Sequence, residues 1–512
     1  MKKHNMRDYN NRQRLMLPPS IEDYLREDDM AHVVDAVVEH IDMTPYLEAL
    51  ESCGSPSYSP VMMFKILVYA YNQGITSSRK IEEQLYKHVG FIYLAGMQKP
   101  DHKTISEFRR KHIQFLAQTF DEVVRVCHEL GMVGLEHLSM DSTVIKANAS
   151  ASRTHDSESL QKLWRKRLEE DIRRDEEEDR KYGEDKIGNE LPEGLRDPVE
   201  RKRRIKEAIE RIREAKKRLE KSGKKKINLT DPDAQFQKDK GRKTLGYRAQ
   251  IVVDGKEQVI LTTKVTGDQS DTQQLIPMVD KALEKVKELR GGQAKEEQEV
   301  EKIVLSADAG YHSGPNLAHL ESEAYKDKVE AYIPDGRHQA RASGKLKEGP
   351  FDKEKFVYDQ ERDEFTCPTG KKLTHVGTKK ATNGQDIFIY RCRECQACDH
   401  FGDCTKSPQG RTLQVCEFEP LTIKMRQKLS TEEGKAIYGK RKTLPEPTFG
   451  NMKGNQGFVA FRLRGEKKSD GEFTLMAMVS NIKKIWKKLT RIGMSLSMAL
   501  RAHSNVAFAD SS

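Results

Sequence analysis

The chain has 512 residues, with 90 Lys and Arg against 80 Asp and Glu, a formal net charge of +10. That length exceeds one ordinary hydrophobic core, so two or more domains are expected. No run is apolar enough to span a bilayer, and the basic opening "MKKHNMRDYNNRQRLML" lacks the apolar core of a signal peptide, which excludes a membrane partner and points to a cytoplasmic location. In that setting the eight cysteines read as thiols or metal ligands rather than disulfides. The small positive excess, spread over charges of both signs, hints at a polyanionic partner but equally fits a mixed-charge surface.

Residues 1–115 read as helical. "MAHVVDAVVEHI" and "YSPVMMFKILVYAYNQG" carry apolar residues at helical spacing, with Gly74 as a terminator. "SSRKIEEQLYKHVGFIYL" follows, and Pro100 and Asp101 open a basic helix in "PDHKTISEFRRKH". Short helices ending in a basic one fit a helix-turn-helix, but a plain helical bundle accounts for the pattern as well. Residues 156–226 are mostly charged, yet Leu160, Leu163, Trp164, Leu168 and Ile172 form one stripe, and Ile205, Ala208, Ile209, Ile212, Ala215 and Leu219 another. Disorder needs no such stripes, so an antiparallel helical hairpin is expected, turning at "GNELPEG".

Around this insertion the pattern is α/β. "LEHLSMDSTVIKANAS" is a strand candidate before it. "TLGYRAQIVV" alternates through Tyr247, Ala249, Ile251 and Val253, turns at Asp254-Gly255, and returns as "EQVILTTKV". A helix over roughly 271–289, a strand "KIVLSA" ending at Asp308, a helix after Pro315 and a strand "KVEAYIP" complete the series. Strand, two-strand hairpin, helix, strand, helix, strand is the order of an RNase-H-like mixed sheet with flanking helices. In that order the first and fourth strands lie side by side, which brings Asp141 next to Asp308.

Two carboxylates on neighbouring strands can hold divalent cations, and a third completes a two-metal site for phosphoryl transfer. The third acid is sought on a late helix, in "YGKRKTLPEPTFGNMKGNQGF", where Glu446 and Lys453 are seven residues apart and so about two turns apart on one helix face. Pro447 places Glu446 at or just before a helix start, where the helix dipole also favours an acid. Glu432 and Glu433 are rivals by position.

Asp141 in "MDSTVIKA", Asp308 in "ADAGYHS" and Glu446 in "YGKRKTLPEPTFGNMKG" resemble the DDE triad of bacterial insertion-sequence transposases. The resemblance covers nearly the whole chain: "RLMLPPSIEDYL", "YSPVMMFKILVYAY" and "PDHKTISEFRRKH" are similar to the N-terminal domain of such proteins, and "TDPDAQF" and "GYRAQIVVDG" to the start of their catalytic domain. A signature of that superfamily is Tyr, two residues, Arg, three residues, Glu, six residues, Lys. Tyr438, Arg441, Glu446 and Lys453 fit it with one extra residue between Arg441 and Glu446; Lys442 has the nominal spacing instead. The resemblance implies catalysis by Asp141, Asp308 and Glu446 with two Mg²⁺ or Mn²⁺ ions, and DNA contact through Tyr438, Arg441 and Lys453. It further implies binding of the terminal inverted repeats of the protein's own element, metal-dependent cleavage and strand transfer into target DNA, a nucleoid-associated site of action, and a homodimer or higher assembly on DNA. Two readings stay beside it: an RNase-H-like nuclease without joining activity, and a non-catalytic zinc-containing DNA-binding protein derived from a transposase. A coiled-coil scaffold would explain only the charged hairpin.

"FTCPTGKKL" and "YRCRECQACDHFGDC" supply Cys367, Cys392, Cys395, Cys398 and Cys404, with Cys416 further on. Overlapping C-x2-C steps and a Cys-Pro-x-Gly turn fit a tetrahedral thiolate site for structural Zn²⁺; ordinary reduced thiols are the alternative. The expected domains are therefore 1–115 helical and DNA-binding, 116–155 with 227–340 and 417–512 catalytic, 156–226 a helical-hairpin insertion, and 341–416 a Cys-rich zinc knuckle. Among single residues, Tyr311 and His312 lie beside Asp308, where they could touch substrate; the alternatives are strand-end packing for Tyr311 and, as the preferred reading, a solvent-facing imidazole for His312. Asp268 reads as a turn former rather than a fourth acid. Cys53 and Cys127 read as core, and "NIKKIWKKLTRIG" as a packed helix with Ile482, Ile485, Trp486, Leu489 and Ile492 inward.

Overall fold

The computed structural model describes residues 20–48, 58–182, 196–239, 241–291, 302–347, 349–359, 361–380 and 386–509. The basic opening segment, Cys53 and the "GNELPEG" turn lie outside these residues. Two compact units divide the chain: residues 1–119 with 482–512, and residues 120–481. The tail from 482 thus clusters with the N-terminal helices, not with the catalytic segments to which its sequence was assigned.

In the first unit, helices Met30–His40, Pro60–Asn72, Ser78–Lys87, Val89–Leu94 and His102–Gln118 follow in order. Their starts are capped by side chains: Asp29 accepts from the Ala31 N–H, Ser59 from Met62 and Asp101 from Thr104. Helix Pro60–Asn72 is buried from Met62 to Tyr71 and ends at Gly74, whose φ of 73° suits glycine. Lys65 on it is buried but paired with Asp35 at 2.7 Å and with Glu39. Part of the basic character of His102–Gln118 is structural, since Arg109 is buried and donates to the Thr76 carbonyl at 2.7 Å. Near the C-terminus Ile482, Ile485 and Leu489 are buried and the Trp486 indole donates to the Asp28 carbonyl, but Ile492 is 39% exposed, so the expected stripe stops one turn early.

The second unit is built on a six-stranded sheet: β1 (His137–Lys146), β2 (Gln235–Asp239), β3 (Arg242–Asp254), β4 (Ile260–Thr266), β5 (Ile303–Ala307) and β6 (Val329–Tyr332). β3 lies antiparallel between β1 and β4, with Asp141 opposite Ile251 and Ile251 opposite Thr263. β1 runs parallel to β5, pairing Met140 with Ala307, and β5 parallel to β6. The order β4-β3-β1-β5-β6 makes this an RNase-H-like mixed sheet. Hydrophobic alternation explains it: Tyr247, Ala249, Ile251 and Val253 are all fully buried. β2, pairing with the first half of β3, was not anticipated, because "QFQKD" has too few apolar residues to read as a strand. Helix Leu275–Leu289 buries Met278, Val279, Ala282 and Val286. From the long helix Glu466–Ile492, the Asn481 amide bonds both the N–H and the carbonyl of Ile260.

Two insertions leave the sheet. Between β1 and β2, helices Ser157–Tyr182 and Arg196–Ser222 pack through Leu160, Ile212, Ala215 and Leu219, with Leu163 and Trp164 alongside. Ile172, expected on this seam, is 52% exposed, so the stripe runs past the packed part. The Cys-rich segment forms an antiparallel meander of β7 (Val357–Asp359), β8 (Glu364–Thr366), β9 (Lys372–Lys380), β10 (Asp386–Arg391) and β11 (Thr412–Cys416). Phe356, Phe365, Leu373, Tyr390 and Leu413 make its core. Arg426, beyond it in helix Glu419–Ser430, ties Glu354 at 2.7 Å and Asp335 at 2.5 Å.

Candidate active site

The parallel β1–β5 pairing sets the first two acids side by side. Asp141 follows Met140 on β1, and Asp308 follows Ala307, the residue paired with Met140. The Asp141 carboxylate accepts the Ser142 N–H at 2.8 Å, and Asp308 accepts from the Gln339 amide at 3.2 Å. Glu446 comes from the first turn of the short helix Pro445–Gly450, with Pro445 at its start. Exposure rises along the trio, from 16% for the Asp141 side chain through 35% for Asp308 to 55% for Glu446.

Arg441 joins them. Its guanidinium is 3.1 Å from Asp141 and 3.9 Å from Asp308 through Nη2, and 3.8 Å from Glu446 through Nη1. The sequence left its role open because of the extra residue before Glu446. That residue is absorbed by a 3-10 turn, Arg441–Thr443, between helices Glu432–Lys440 and Pro445–Gly450. Lys442, at the nominal spacing, is exposed, and so are Glu432 and Glu433; Glu432 pairs with Lys435. Burial pushes the Asp141 carboxyl up to about 6, although the Arg441 charge pulls it the other way. Burial, reinforced by Asp308, Asp141 and Glu446 against the pull of Arg441, raises the Tyr438 hydroxyl to about 12 and so keeps it a protonated donor beside the acids.

Lys453 departs from expectation. After Gly450 the chain takes a π-helical turn, Asn451–Asn455, which breaks the two-turn register with Glu446. The Lys453 ammonium instead donates to the Val144 carbonyl of β1 at 2.8 Å.

Behind Asp141 stands a buried polar layer that sequence reasoning missed. Asp271 accepts from Arg248 at 2.6 Å and from the Gln250 amide at 2.8 Å; Arg248 also reaches Ser142, and the Tyr311 hydroxyl donates to Gln250. Arg248 and Gln250 alternate on β3, so both face one side, a signal available in the sequence. Asp268, the acid singled out there, instead accepts from Gln274 as the turn reading has it. Tyr311 is buried, which favours packing over substrate contact, and His312 is not solvent-facing: its Nε2 is enclosed without a hydrogen-bond partner among the described residues. Burial lowers its pKa.

The hard oxygen donors of Asp141, Asp308 and Glu446, turned toward one positive charge, have the chemistry for Mg²⁺ or Mn²⁺. The charge between them is the Arg441 guanidinium. Among the described residues no group of three or more His, Cys, Asp or Glu stands in a metal-holding arrangement. The same holds for the thiols. Cys367, Cys392, Cys395, Cys398 and Cys404 do line one pocket, and Cys367 and Cys395 accept the Lys371 and Arg411 N–H groups at 3.2 Å. Burial raises the Cys392 thiol to about 11, which keeps it protonated. Cys416 lies apart, against Glu419, and the zinc expectation is not supported.

Residues 366–486 match the family model of the transposase DDE domain, a stretch containing Tyr438, Arg441, Glu446 and Lys453, and residues 19–111 match that of a further transposase domain. The chain thus carries matches to a transposase DDE domain and to a second transposase domain. Such DDE domains generally use divalent metal ions. No curated protein sequence matches this chain. A solved piggyBac transposase synaptic complex with hairpin DNA aligns over 95% of this chain and 81% of its own, at 10% identity and a TM-score of 0.30. No described helix is long and apolar enough to cross a membrane.

Proposed function

We propose that this transposase binds the terminal inverted repeats of its own element, cleaves a phosphodiester at each end and joins the freed 3′-OH groups to target DNA. The observation that carries the reading is the convergence of Asp141, Asp308 and Glu446 on Arg441 at the two central parallel strands of an RNase-H-like sheet. Asp141, Asp308 and Glu446 would hold Mg²⁺ or Mn²⁺, which when bound activates the attacking oxygen and stabilises the leaving one. Arg441 and Tyr438, beside the acids, orient the scissile phosphate by charge and hydrogen bond. Ser142, Arg248 and Asp271 hold the Asp141 strand in place. The helices of residues 20–118 contribute DNA contacts, the charged hairpin and the Cys-rich meander serve as insertions of the catalytic unit, and paired ends require at least two copies acting inside the cell.

The test is incubation of the purified chain with DNA carrying the repeats that flank its gene, a target plasmid and Mg²⁺. Release of 3′-OH ends and their appearance in the plasmid is the expected result. Cleavage without joining would favour a nuclease, and binding without cleavage a non-catalytic DNA-binding protein.

A further inference from the structure

A second basic feature lies beyond the acids, at the far end of β1. The segment leaving β1 and the segment leaving the π-turn run together: the Lys146 N–H bonds the Val459 carbonyl and the Phe461 N–H bonds the Lys146 carbonyl. They are then clamped reciprocally, since the Asn148 amide donates to the Arg462 carbonyl at 2.6 Å and Arg464 Nε donates to the Asn148 carbonyl at 3.0 Å. A fully buried carboxylate, Glu472, accepts the N–H groups of Arg462 and Leu463 at 2.9 and 3.0 Å. With Leu463 buried between them, Arg462 and Arg464 are held on the exposed side. Arg153 completes an open groove whose lining includes these three arginines and no acidic residue. Among the described residues neither Arg153 nor Arg464 forms an ion pair, in a chain that holds 80 acidic residues.

We infer that this groove binds the phosphate backbone of the DNA strand leaving the active site, an assignment that rests on the transposase reading above. Arg153 and Arg464 without an acidic partner, in a groove lined by no acid, match a polyanion, and a contact made through their charge to phosphate positions the strand without selecting sequence. The Lys453 ammonium, bonded at Val144, lies between the acids and the groove along β1. Six residues of extended chain separate Asp141 from Ala147, about 20 Å, or about six nucleotides at the axial rise of one DNA strand. The groove therefore engages phosphates about six nucleotides from the cut.

The full-length chain is titrated with duplex DNA carrying the flanking repeat over roughly 50–200 mM salt, as wild type, as Arg153→Ala/Arg464→Ala and as Arg153→Lys/Arg464→Lys. The alanine pair is expected to flatten the dependence of log affinity on log salt by about 2, one phosphate per arginine, and the lysine pair to keep most of the slope. A folded alanine pair with the wild-type slope overturns the groove even where the wild type cleaves DNA normally. Wild-type binding with the expected change in slope but no cleavage would instead sink the transposase reading and leave the groove standing. Should the alanine pair not fold, phosphate-ethylation interference on the wild type decides: interference about six nucleotides from the repeat boundary is expected, and interference confined to the boundary overturns the proposal. Tighter binding of a single-stranded RNA than of this DNA also overturns it.

Discussion

Arg441 stands 3.1 Å from Asp141, and the same guanidinium reaches Asp308 and Glu446. Three carboxylates brought together repel each other, and here one buried cation offsets that repulsion. Arg441→Met removes it and is expected to destabilise the metal-free protein by about 3–5 kcal/mol, the range for a broken buried ion pair. Millimolar Mn²⁺ should then raise the melting temperature of the variant more than that of the wild type, because the ion supplies the missing charge. Equal Mn²⁺ effects on both would contradict a carboxylate cluster that trades guanidinium for metal.

Asp271 and Asp268 make a contrast three residues apart. Asp271 pairs with a largely buried Arg248 at 2.6 Å, so Asp271→Asn leaves that guanidinium without its charge partner and should cost about 3 kcal/mol. Asp268→Asn touches an exposed turn and should change stability by less than about 1 kcal/mol. Urea unfolding of the two variants measures both; equal losses would remove Asp271 from the layer behind Asp141.

His137 opens β1, bonds Ser306 at 3.0 Å, and has its pKa lowered to about 4 by burial and by the charge of Lys440. Between about 4 and the unfolded value near 6.5 the unfolded chain binds the extra proton, so stability rises with pH across that window. Below it the imidazole costs about 3 kcal/mol, and above it nothing. His137→Gln should therefore narrow the difference in urea midpoint between pH 7 and the acid side of the window. A variant with the full wild-type acid sensitivity would place the titrating group elsewhere.

The cysteines divide by burial. Cys392 is 1% exposed in the core of the meander, so Cys392→Ser buries a hydroxyl there and should cost about 1–3 kcal/mol. Cys416 is partly exposed beside Glu419, and Cys416→Ser should fall within about 0.5 kcal/mol of wild type. Thermal melting of the two variants checks the ranking, and a larger loss for Cys416 would refute it.

Much of the sheet was legible because its strands are apolar and bounded by clear turns; Tyr247 to Val253 is enough to set β3, and the strand order puts β1 beside β5 and so Asp141 beside Asp308. β2 escaped because pairing with β3, not composition, makes "QFQKD" a strand. Asp141, Asp308 and Glu446 could be picked out from motif order, whereas the place of Arg441 depends on a 3-10 turn and that of Lys453 on a π-turn, and neither leaves a periodic mark. Asp271 was passed over because its significance lies in partners more than twenty residues earlier on β3. His312 misled for a similar reason: the residues around it, Asp335, Glu419 and Arg426, come from distant segments.

The most direct measurement is cleavage of DNA bearing the flanking repeats by the wild type and by Asp308→Asn, with Mg²⁺ or Mn²⁺ and with chelator. Nicking at the repeat boundary that needs the metal and disappears in Asp308→Asn, while gel-shift binding persists in both, is the predicted result. Cutting by Asp308→Asn at the wild-type rate would contradict a catalytic site at Asp141, Asp308 and Glu446.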